Sequence, residues 1–251
     1  MIDLVPDGKK TGWLIDQEDS AWLESLDVGV PFTFGDYKPI QETLKKPSEW
    51  LRVEDQNGFG SCQGATLSSV GEVAYYNATK GEIIQLSKWF AYVGTQLLDG
   101  IRGDQGSTIS GGAKLAEKYG LCPESDYPYP TRYTQKITDY QYKAAEKYKL
   151  KKFVRMQSVD DVYKWLDAGL GAISFGVRWG NGGHAVAGIQ RNPVSGIRLI
   201  NSWGTHWGDN GFFDWTEREL AGYLRDNYTE AIGMTDMSEV KPREYEWDIF
   251  A

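Results

Sequence analysis

The pattern of apolar residues changes near Gly171, and this change limits the folds that the chain can adopt. Before Gly171 the apolar residues recur with helical spacing, whereas the later stretches GAISFGVR, HAVAGIQ, GIRLIN and GFFDW are short β-branched or aromatic runs. Segments rich in glycine, asparagine and proline separate these runs, as is typical of antiparallel strands. The sequence therefore predicts an α+β protein with a helical lobe, a β-rich lobe and a cleft between them.

Capping residues help to place the ends of the helices. Ser158 is followed three residues later by Asp161, and Thr216 by Glu219, which is the spacing of a capping box. Ser61 is expected to be the N-cap of the first helix. The predicted helices cover residues 62–80, 87–98, 107–119 (ending at Gly120), 158–166 and a segment that starts at Thr216.

Composition excludes several classes of function. Of the 251 residues, 41% are hydrophobic, which is enough for a packed core, and the net charge is −8. The densest basic stretch, residues 143–155, is interleaved with apolar residues, so we expect no nucleic-acid partner. No segment has the apolar length of a signal peptide or a membrane span, and we expect a cytoplasmic or particle-associated protein that binds no membrane, metal or cofactor.

The chain has two cysteines and two histidines, and these limit its nucleophilic chemistry. A free cysteine is often a small buried hydrophobe, and a single histidine more often completes a hydrogen-bond network than performs catalysis. Cys62, however, lies where the first helix should begin, and a helix N-terminus lowers the pKa of a thiol. His184 lies at the mouth of a predicted strand, on the other side of the expected cleft.

The stretch LINSWGTHWGDNGFFDW, residues 199–215, strengthens a catalytic interpretation. A catalytic imidazole needs an acceptor on its second nitrogen, and the side-chain carbonyl of Asn201 can serve without adding negative charge. Trp203 can cover that hydrogen bond. We expect Trp207 to pack in the core and His206 to be structural or to face solvent.

Read in order, Gln56, Cys62, His184 and Asn201 stand in motifs that resemble the papain family of cysteine proteases. The motifs are VEDQNGFGSCQGA, GGHAVAGI and NSWGTHWGDNGFF, and residues 106–130 look like the middle helix of that family and the segment after it. The resemblance covers about residues 47–235. It implies a papain-like two-lobed fold, with a helical left lobe, an antiparallel β-rich right lobe and the active site in the cleft between them.

The resemblance also implies a role for each matched residue. Cys62 would be the nucleophile, and His184 the general base and acid. Asn201 would orient His184, and Gln56 would form an oxyanion hole with the backbone N–H of Cys62. A peptide or protein substrate would bind at Gly106, Ser107, Gly183 and Trp203.

Two positions depart from the family pattern. Phe59 stands where the family has a half-cystine, and we expect it to replace the bridge by packing. Gln63 stands where the family has an aromatic residue, which puts leaving-group preference in doubt. Cys122 is expected to be a buried free thiol.

Three segments follow from these matches: an N-terminal arm or short pro-like segment (1–46), a papain-like peptidase domain (47–235) and a C-terminal tail (236–251). The arm either straps the lobes together or covers the cleft as a strand or short helix. Both termini carry aromatic residues that could contact a protein partner.

The sequence leaves more than one function open. The first is a thiol peptidase that hydrolyses peptide bonds. The alternative is a structural or interaction protein, for example a component of a larger particle, that retains the fold with low, blocked or no activity. A cell-wall peptide hydrolase is a weaker third, because such folds lack the NSWG…WG arrangement.

Overall fold

The computed structural model describes Val5 and residues 8–15 and 44–237. Residues 16–43 of the predicted arm, and the tail from residue 238 onward, lie outside the described residues. Six α-helices occur in the described ranges: α1 (Cys62–Thr79), α2 (Lys88–Leu98), α3 (Ile109–Lys118), α4 (Asp139–Ala145), α5 (Val159–Asp167) and α6 (Glu217–Leu224).

The strands form one antiparallel sheet in the order β1-β6-β2-β3-β4-β5. In the described part of the chain they are β1 (Leu150–Arg155), β2 (Ile173–Trp179), β3 (Gly182–Asn192), β4 (Gly196–Ile200), β5 (Phe212–Trp215) and β6 (Glu230–Met237). The prediction of helices first and strands second is confirmed, and the fold class is α+β.

The capping residues act largely as predicted, with two differences. The Ser158 and Thr216 hydroxyls each accept an N–H three residues on, as in a capping box. Ser61 makes no side-chain cap, because its hydroxyl instead hydrogen-bonds the Tyr129 hydroxyl. The helix predicted from Ser107 was placed too early: α3 begins at Ile109, while the backbone of Ser107 pairs with another segment in the cleft.

Two strands and one helix were missed. β1 lies in the basic stretch 143–155, for which no strand was predicted, and its LKKFVR pattern is half exposed because β1 is an edge strand. β6 pairs with both β1 and β2 and so lies inside the sheet. The glycine and acidic residues in EAIGMTDM hide the β pattern of β6, and the polar sequence DYQYKAA hides α4.

Helix α1 fixes the position of the cleft because it is buried along nearly its whole length. A Cβ atom on Gly64 would lie 2.3 Å from the Lys88 carbonyl oxygen, so only glycine lets α1 approach α2 this closely. On its other side α1 packs against the sheet, and one apolar cluster joins residues from both lobes. The start of α1 is therefore held rigidly at the edge of the cleft.

Phe59 packs among aromatic side chains, as expected. Its ring centroid lies 5.1 Å from that of Trp89 and 5.9 Å from that of Tyr129. This packing anchors the loop before α1. None of the helices among the described residues has the length and apolar character needed to cross a bilayer.

Candidate active site

Cys62 is the first residue of α1 and is completely buried. The backbone amides of Ala185 and Gly12 lie near its sulfur and act to lower the pKa of the thiol. Ala185 directly follows His184 on β3, so the thiol lies against the strand that carries the histidine. Cys62 and Cys122 are both free and buried, which confirms the expectation for Cys122.

The imidazole of His184 is held by an amide and by aromatic rings. Its Nε2 lies 2.8 Å from Asn201 Oδ1. Trp203 stacks on the imidazole with ring centroids 4.4 Å apart, and the Trp179 ring meets it edge-on at 5.3 Å. Nδ1 is buried and has no hydrogen-bond partner among the described residues, so this nitrogen remains available for a proton.

Gln56 directs its amide group into the same region. Its Nε2 donates to the carbonyl oxygens of Lys10, at 2.9 Å, and Phe59, at 2.5 Å. Its Oε1 accepts the hydroxyl hydrogen of Ser202 at 2.8 Å, which turns the NH2 group toward the cleft. Sequence reasoning missed Ser202, although its place directly after Asn201 was a usable signal.

Residues 8–15, here called the cleft segment, run as an extended chain through the cleft. Ser107 N–H donates to the Gly12 carbonyl at 2.8 Å, and Leu14 N–H to the Ser107 carbonyl at 3.0 Å. Trp13 N–H donates to the Gly183 carbonyl at 3.0 Å. The cleft segment thus contacts the loop before α3 on one lobe and β3 on the other lobe, and it covers Cys62.

Three of the four residues expected to bind peptide lie at this contact, whereas the fourth, Trp203, stacks on His184. The backbone N–H and carbonyl of Ser107, and the carbonyl of Gly183, bind the cleft segment directly. The backbone of Gly106 instead bonds Tyr92 and Gln96 of its own lobe. A Cβ on Gly106 would lie 2.1 Å from the Gly12 carbonyl oxygen, so glycine there, at φ +97°, makes room for the segment.

The Gln56 amide is occupied by the cleft segment. Its Nε2 donates to the carbonyl of Lys10, while the amide of Gly12, two residues later, lies near the Cys62 sulfur. Gln56 and Cys62 therefore face different peptide units of the segment.

Burial sets the protonation of the two central groups. Desolvation raises the pKa of Cys62 to about 11, against the smaller effect of the nearby backbone amides. Desolvation also lowers the pKa of His184 to about 4, against the opposing hydrogen bond to Asn201. At neutral pH the covered thiol and imidazole are therefore both uncharged.

Two ion pairs hold the start of the cleft segment. Lys9 Nζ lies 2.6 Å from an Asp55 carboxylate oxygen, and Lys10 Nζ lies 2.8 Å from an Asp104 oxygen. The side chains of Lys10 and Asp55 are partly exposed to solvent, so salt screens these pairs.

Other singled-out residues lie around the site. Gln63 is buried, and its carbonyl accepts the Ser107 hydroxyl hydrogen at 2.8 Å, so it supports the segment-binding loop from within the helical lobe. His206 is exposed and Trp207 is buried, as expected. Within the described ranges, no group of three or more His, Cys, Asp or Glu side chains is arranged to hold a metal ion.

Comparisons with known proteins bear on the fold. No family model matches the chain. An uncharacterized peptidase C1-like protein of Acanthamoeba polyphaga mimivirus is 24% identical over 201 residues, which is 66% of this chain and 65% of that protein. A probable cysteine protease of Arabidopsis thaliana is 28% identical over 206 residues, or 71% of this chain. That match spans only 55% of the plant protein.

Solved structures agree over most of the chain. Xylellain, a cysteine protease from Xylella fastidiosa, superposes with a TM-score of 0.65 at 20% identity, covering 92% of this chain and 93% of its own. A procathepsin B from Trypanosoma congolense gives 0.66 at 15% identity, covering 91% and 87%. The chain therefore has a papain-like fold, with cysteine proteases as its structural neighbours.

Proposed function

Because the fold is papain-like, we propose that this chain is a cysteine peptidase that hydrolyses peptide bonds. The observation that carries the proposal is the bond between His184 Nε2 and Asn201 Oδ1, 2.8 Å long, beneath the Trp203 ring. A buried amide carbonyl on one imidazole nitrogen fixes the tautomer and leaves the other nitrogen to exchange a proton.

In this mechanism the first step is attack on the substrate carbonyl. The thiol of Cys62 gives its proton to His184 Nδ1, and the thiolate adds to the carbonyl carbon. The negative charge then develops on the carbonyl oxygen. The Gln56 NH2 group, oriented by Ser202, and the Cys62 backbone N–H supply donors for it.

Three proton transfers complete the cycle. The imidazolium of His184 donates its proton to the departing amine, which leaves a thioester on Cys62. Water then attacks the thioester while His184 takes up the water proton. Collapse of the second tetrahedral intermediate releases the acid and the Cys62 thiolate, and the His184 imidazolium returns its proton to the sulfur.

The cleft segment makes the peptidase latent in the form described here. Cys62 is completely buried, and its pKa near 11 disfavours the thiolate that attack requires. Movement of the segment out of the cleft would admit both water and substrate. Rehydration would lower the Cys62 pKa and raise that of His184.

Labelling with an epoxide-type inactivator of thiol proteases tests this proposal. The full chain, Trp13→Ala and the double variant Trp13→Ala/His184→Ala are incubated with the inactivator, and adducts are mapped by mass spectrometry. The proposal expects an adduct on Cys62 in Trp13→Ala that is largely lost in the double variant. Labelling of Cys62 at equal rates with and without His184 would contradict it.

One observation favours a second function, that of an interaction protein with a blocked site. Gly12 packs so closely that a Cβ there would lie 2.0 Å from the Gly60 carbonyl oxygen. Packing this close would keep the cleft segment in place permanently, so that the cleft stays closed to substrates. Failure of Trp13→Ala to expose Cys62 under any native condition would favour this candidate.

A further inference from the structure

The loop of residues 56–61, here called the oxyanion loop, separates the two groups that would stabilise the oxyanion. Gln56, with its side-chain NH2 group, is the first residue of the loop, and the backbone N–H of Cys62 follows directly after its end. Both donors act on the same oxygen atom only if each lies about 2.7–3.1 Å from it. The spacing between the two ends of the oxyanion loop therefore matters for the reaction.

One hydroxyl group connects the two ends of the oxyanion loop. The Tyr129 hydroxyl donates to the carbonyl oxygen of Gln56 at 2.7 Å and lies 2.8 Å from Ser61 Oγ. A phenol has a single hydrogen, and a carbonyl oxygen can only accept, so the Ser61 hydroxyl is the donor in the second bond. The hydrogen bonds thus run from Ser61 to Tyr129 to Gln56, and each one polarises the next.

The oxyanion loop is closed in two stages. Phe59 N–H donates to the Gln56 carbonyl at 2.9 Å, which closes residues 56–59. The bonds through Tyr129 extend this closure to Ser61. Gln56 and Ser61 are both completely buried, so loss of the phenol hydroxyl would deprive the Ser61 hydroxyl of its acceptor and weaken the closure.

The helical lobe holds the Tyr129 ring in place. The ring centroid lies 5.3 Å from that of Trp89 on α2 and 5.9 Å from that of Phe59, with both pairs edge-on. Lys88 Nζ lies 4.3 Å from the same centroid and forms an ion pair with Glu54, and both of these charged side chains are buried. These contacts fix the point at which the Tyr129 hydroxyl meets the oxyanion loop.

We propose that Tyr129 is a positioning residue whose hydroxyl group holds the two oxyanion donors at the spacing that the reaction requires. The inference rests on the proposed function, because it assigns a part in the same reaction. Tyr129 acts through Gln56 and Ser61 rather than on the substrate. Its loss should therefore weaken the stabilisation of negative charge on oxygen and leave the reactivity of the Cys62 thiol unchanged.

Two reagents separate these effects without peptide hydrolysis. Iodoacetamide alkylates the Cys62 thiolate with loss of iodide, and no negatively charged oxygen forms. A peptide aldehyde adds reversibly: the sulfur bonds to the carbonyl carbon, the π bond breaks, and the oxygen takes the negative charge that the two donors stabilise. Both reagents are applied to the full-length Trp13→Ala chain, in which Cys62 should be uncovered.

Tyr129→Phe in this background removes the hydroxyl group and keeps the ring. It should weaken aldehyde binding about threefold to tenfold and change the iodoacetamide rate by less than about twofold. Ser61→Ala breaks only one of the two bonds, so its effect should be smaller, and adding it to Tyr129→Phe should weaken binding no further. An aldehyde Kd unchanged by Tyr129→Phe, or effects of the two changes that multiply, would overturn the proposal.

Tyr127 provides a matched control from the same segment. It lies two residues before Tyr129 and packs against the same aromatic cluster, but its hydroxyl donates to the carbonyl of Lys136, outside the oxyanion loop. Tyr127→Phe should therefore keep the aldehyde Kd within about twofold. Equal weakening by Tyr127→Phe and Tyr129→Phe would point to a general loss of packing and would overturn the positioning role.

Hydrolysis of a peptide by the Trp13→Ala chain extends the test to turnover. Tyr129→Phe should lower kcat about threefold to tenfold with little change in KM, because the oxyanion forms only after the substrate has bound. Aldehyde binding that weakens in Tyr129→Phe, without hydrolysis by any variant, would support the positioning role and reject the peptidase. Hydrolysis with a kcat unchanged by Tyr129→Phe would reject the positioning role alone, and failure of the aldehyde to add to Cys62 at all would overturn both.

Discussion

Replacing Trp13 by alanine should uncover Cys62, and the size of the effect can be worked from the structure. A buried tryptophan removes about 150–250 Å² from water, and at about 25 cal/mol per Å² this gives about 4–6 kcal/mol. Measured losses for such truncations are about 3–5 kcal/mol. Only 3% of Trp13 is exposed, so nearly the whole side chain contributes.

This free energy acts on the equilibrium between covered and uncovered cleft. Since about 1.4 kcal/mol corresponds to a tenfold change, the uncovered fraction should rise by about 10² to 10⁴, until the cleft is mostly open. The pseudo-first-order rate of Cys62 labelling by iodoacetamide at pH 7.5, followed by intact-protein mass spectrometry, reports this uncovered fraction. Peptide mapping separates Cys62 from Cys122.

A matched control lies two residues away. Ile15 belongs to the same segment but is 40% exposed, so Ile15→Ala should change the labelling rate by less than about threefold. Circular dichroism would show that both variants keep the fold. The reasoning fails if Trp13→Ala labels within a factor of two of wild type, or if Ile15→Ala has an equal effect.

Three further predictions concern other contacts. Lys9→Met removes the ion pair with the partly exposed Asp55, so it should raise the labelling rate of Cys62 by less than about fivefold and make that rate less dependent on salt concentration. A salt response equal to that of wild type would argue against this contact. Ser202→Ala removes the hydroxyl that orients the Gln56 amide, so the amide is free to rotate. In the Trp13→Ala background, this change should lower kcat by less than the roughly 10²–10³-fold expected for Gln56→Ala, with little change in KM. An effect on KM alone would contradict a role of Ser202 in orienting Gln56. Burial raises the pKa of Glu72 to about 8, above its value near 4.3 in the unfolded chain. Between these two pH values the folded chain binds one more proton than the unfolded chain. The free energy of unfolding should therefore fall as pH rises from 5 to 8, by at most about 1.4 kcal/mol per pH unit. Glu72→Gln keeps an acceptor for Leu86 N–H and should flatten that slope in urea unfolding; parallel curves for the two proteins would refute the assignment.

Residue order in the chain predicts much of the fold, but only where the local pattern is strong. The four strands β2 to β5 alternate with glycine-rich turns and are visible in the sequence. β1 and β6 are not, because one is a charged edge strand and the other carries glycine and acidic residues among its apolar ones. Their place in the sheet depends on pairing between segments far apart in the chain.

The candidate site divides in a similar way. Cys62, His184 and Asn201 stand in recognisable motifs, and the structure places His184 against Asn201 and the thiol against β3. The contact between Trp13 and Glu230 joins residues 217 positions apart, and no local pattern announces it. The sequence leaves open whether the arm straps the lobes or covers the cleft, and hydrogen bonds to Ser107 and Gly183 are what place residues 8–15 over Cys62.

The most direct test of the central claim is peptide hydrolysis by the full-length Trp13→Ala chain, with Trp13→Ala/Cys62→Ala as the matched control. Both proteins are incubated with a mixture of peptides, and new termini are identified by mass spectrometry. The account predicts cleavage at defined bonds by the first protein and none by the second. Cleavage that survives in the Cys62→Ala chain, or an accessible and reactive Cys62 that cleaves nothing, would contradict it.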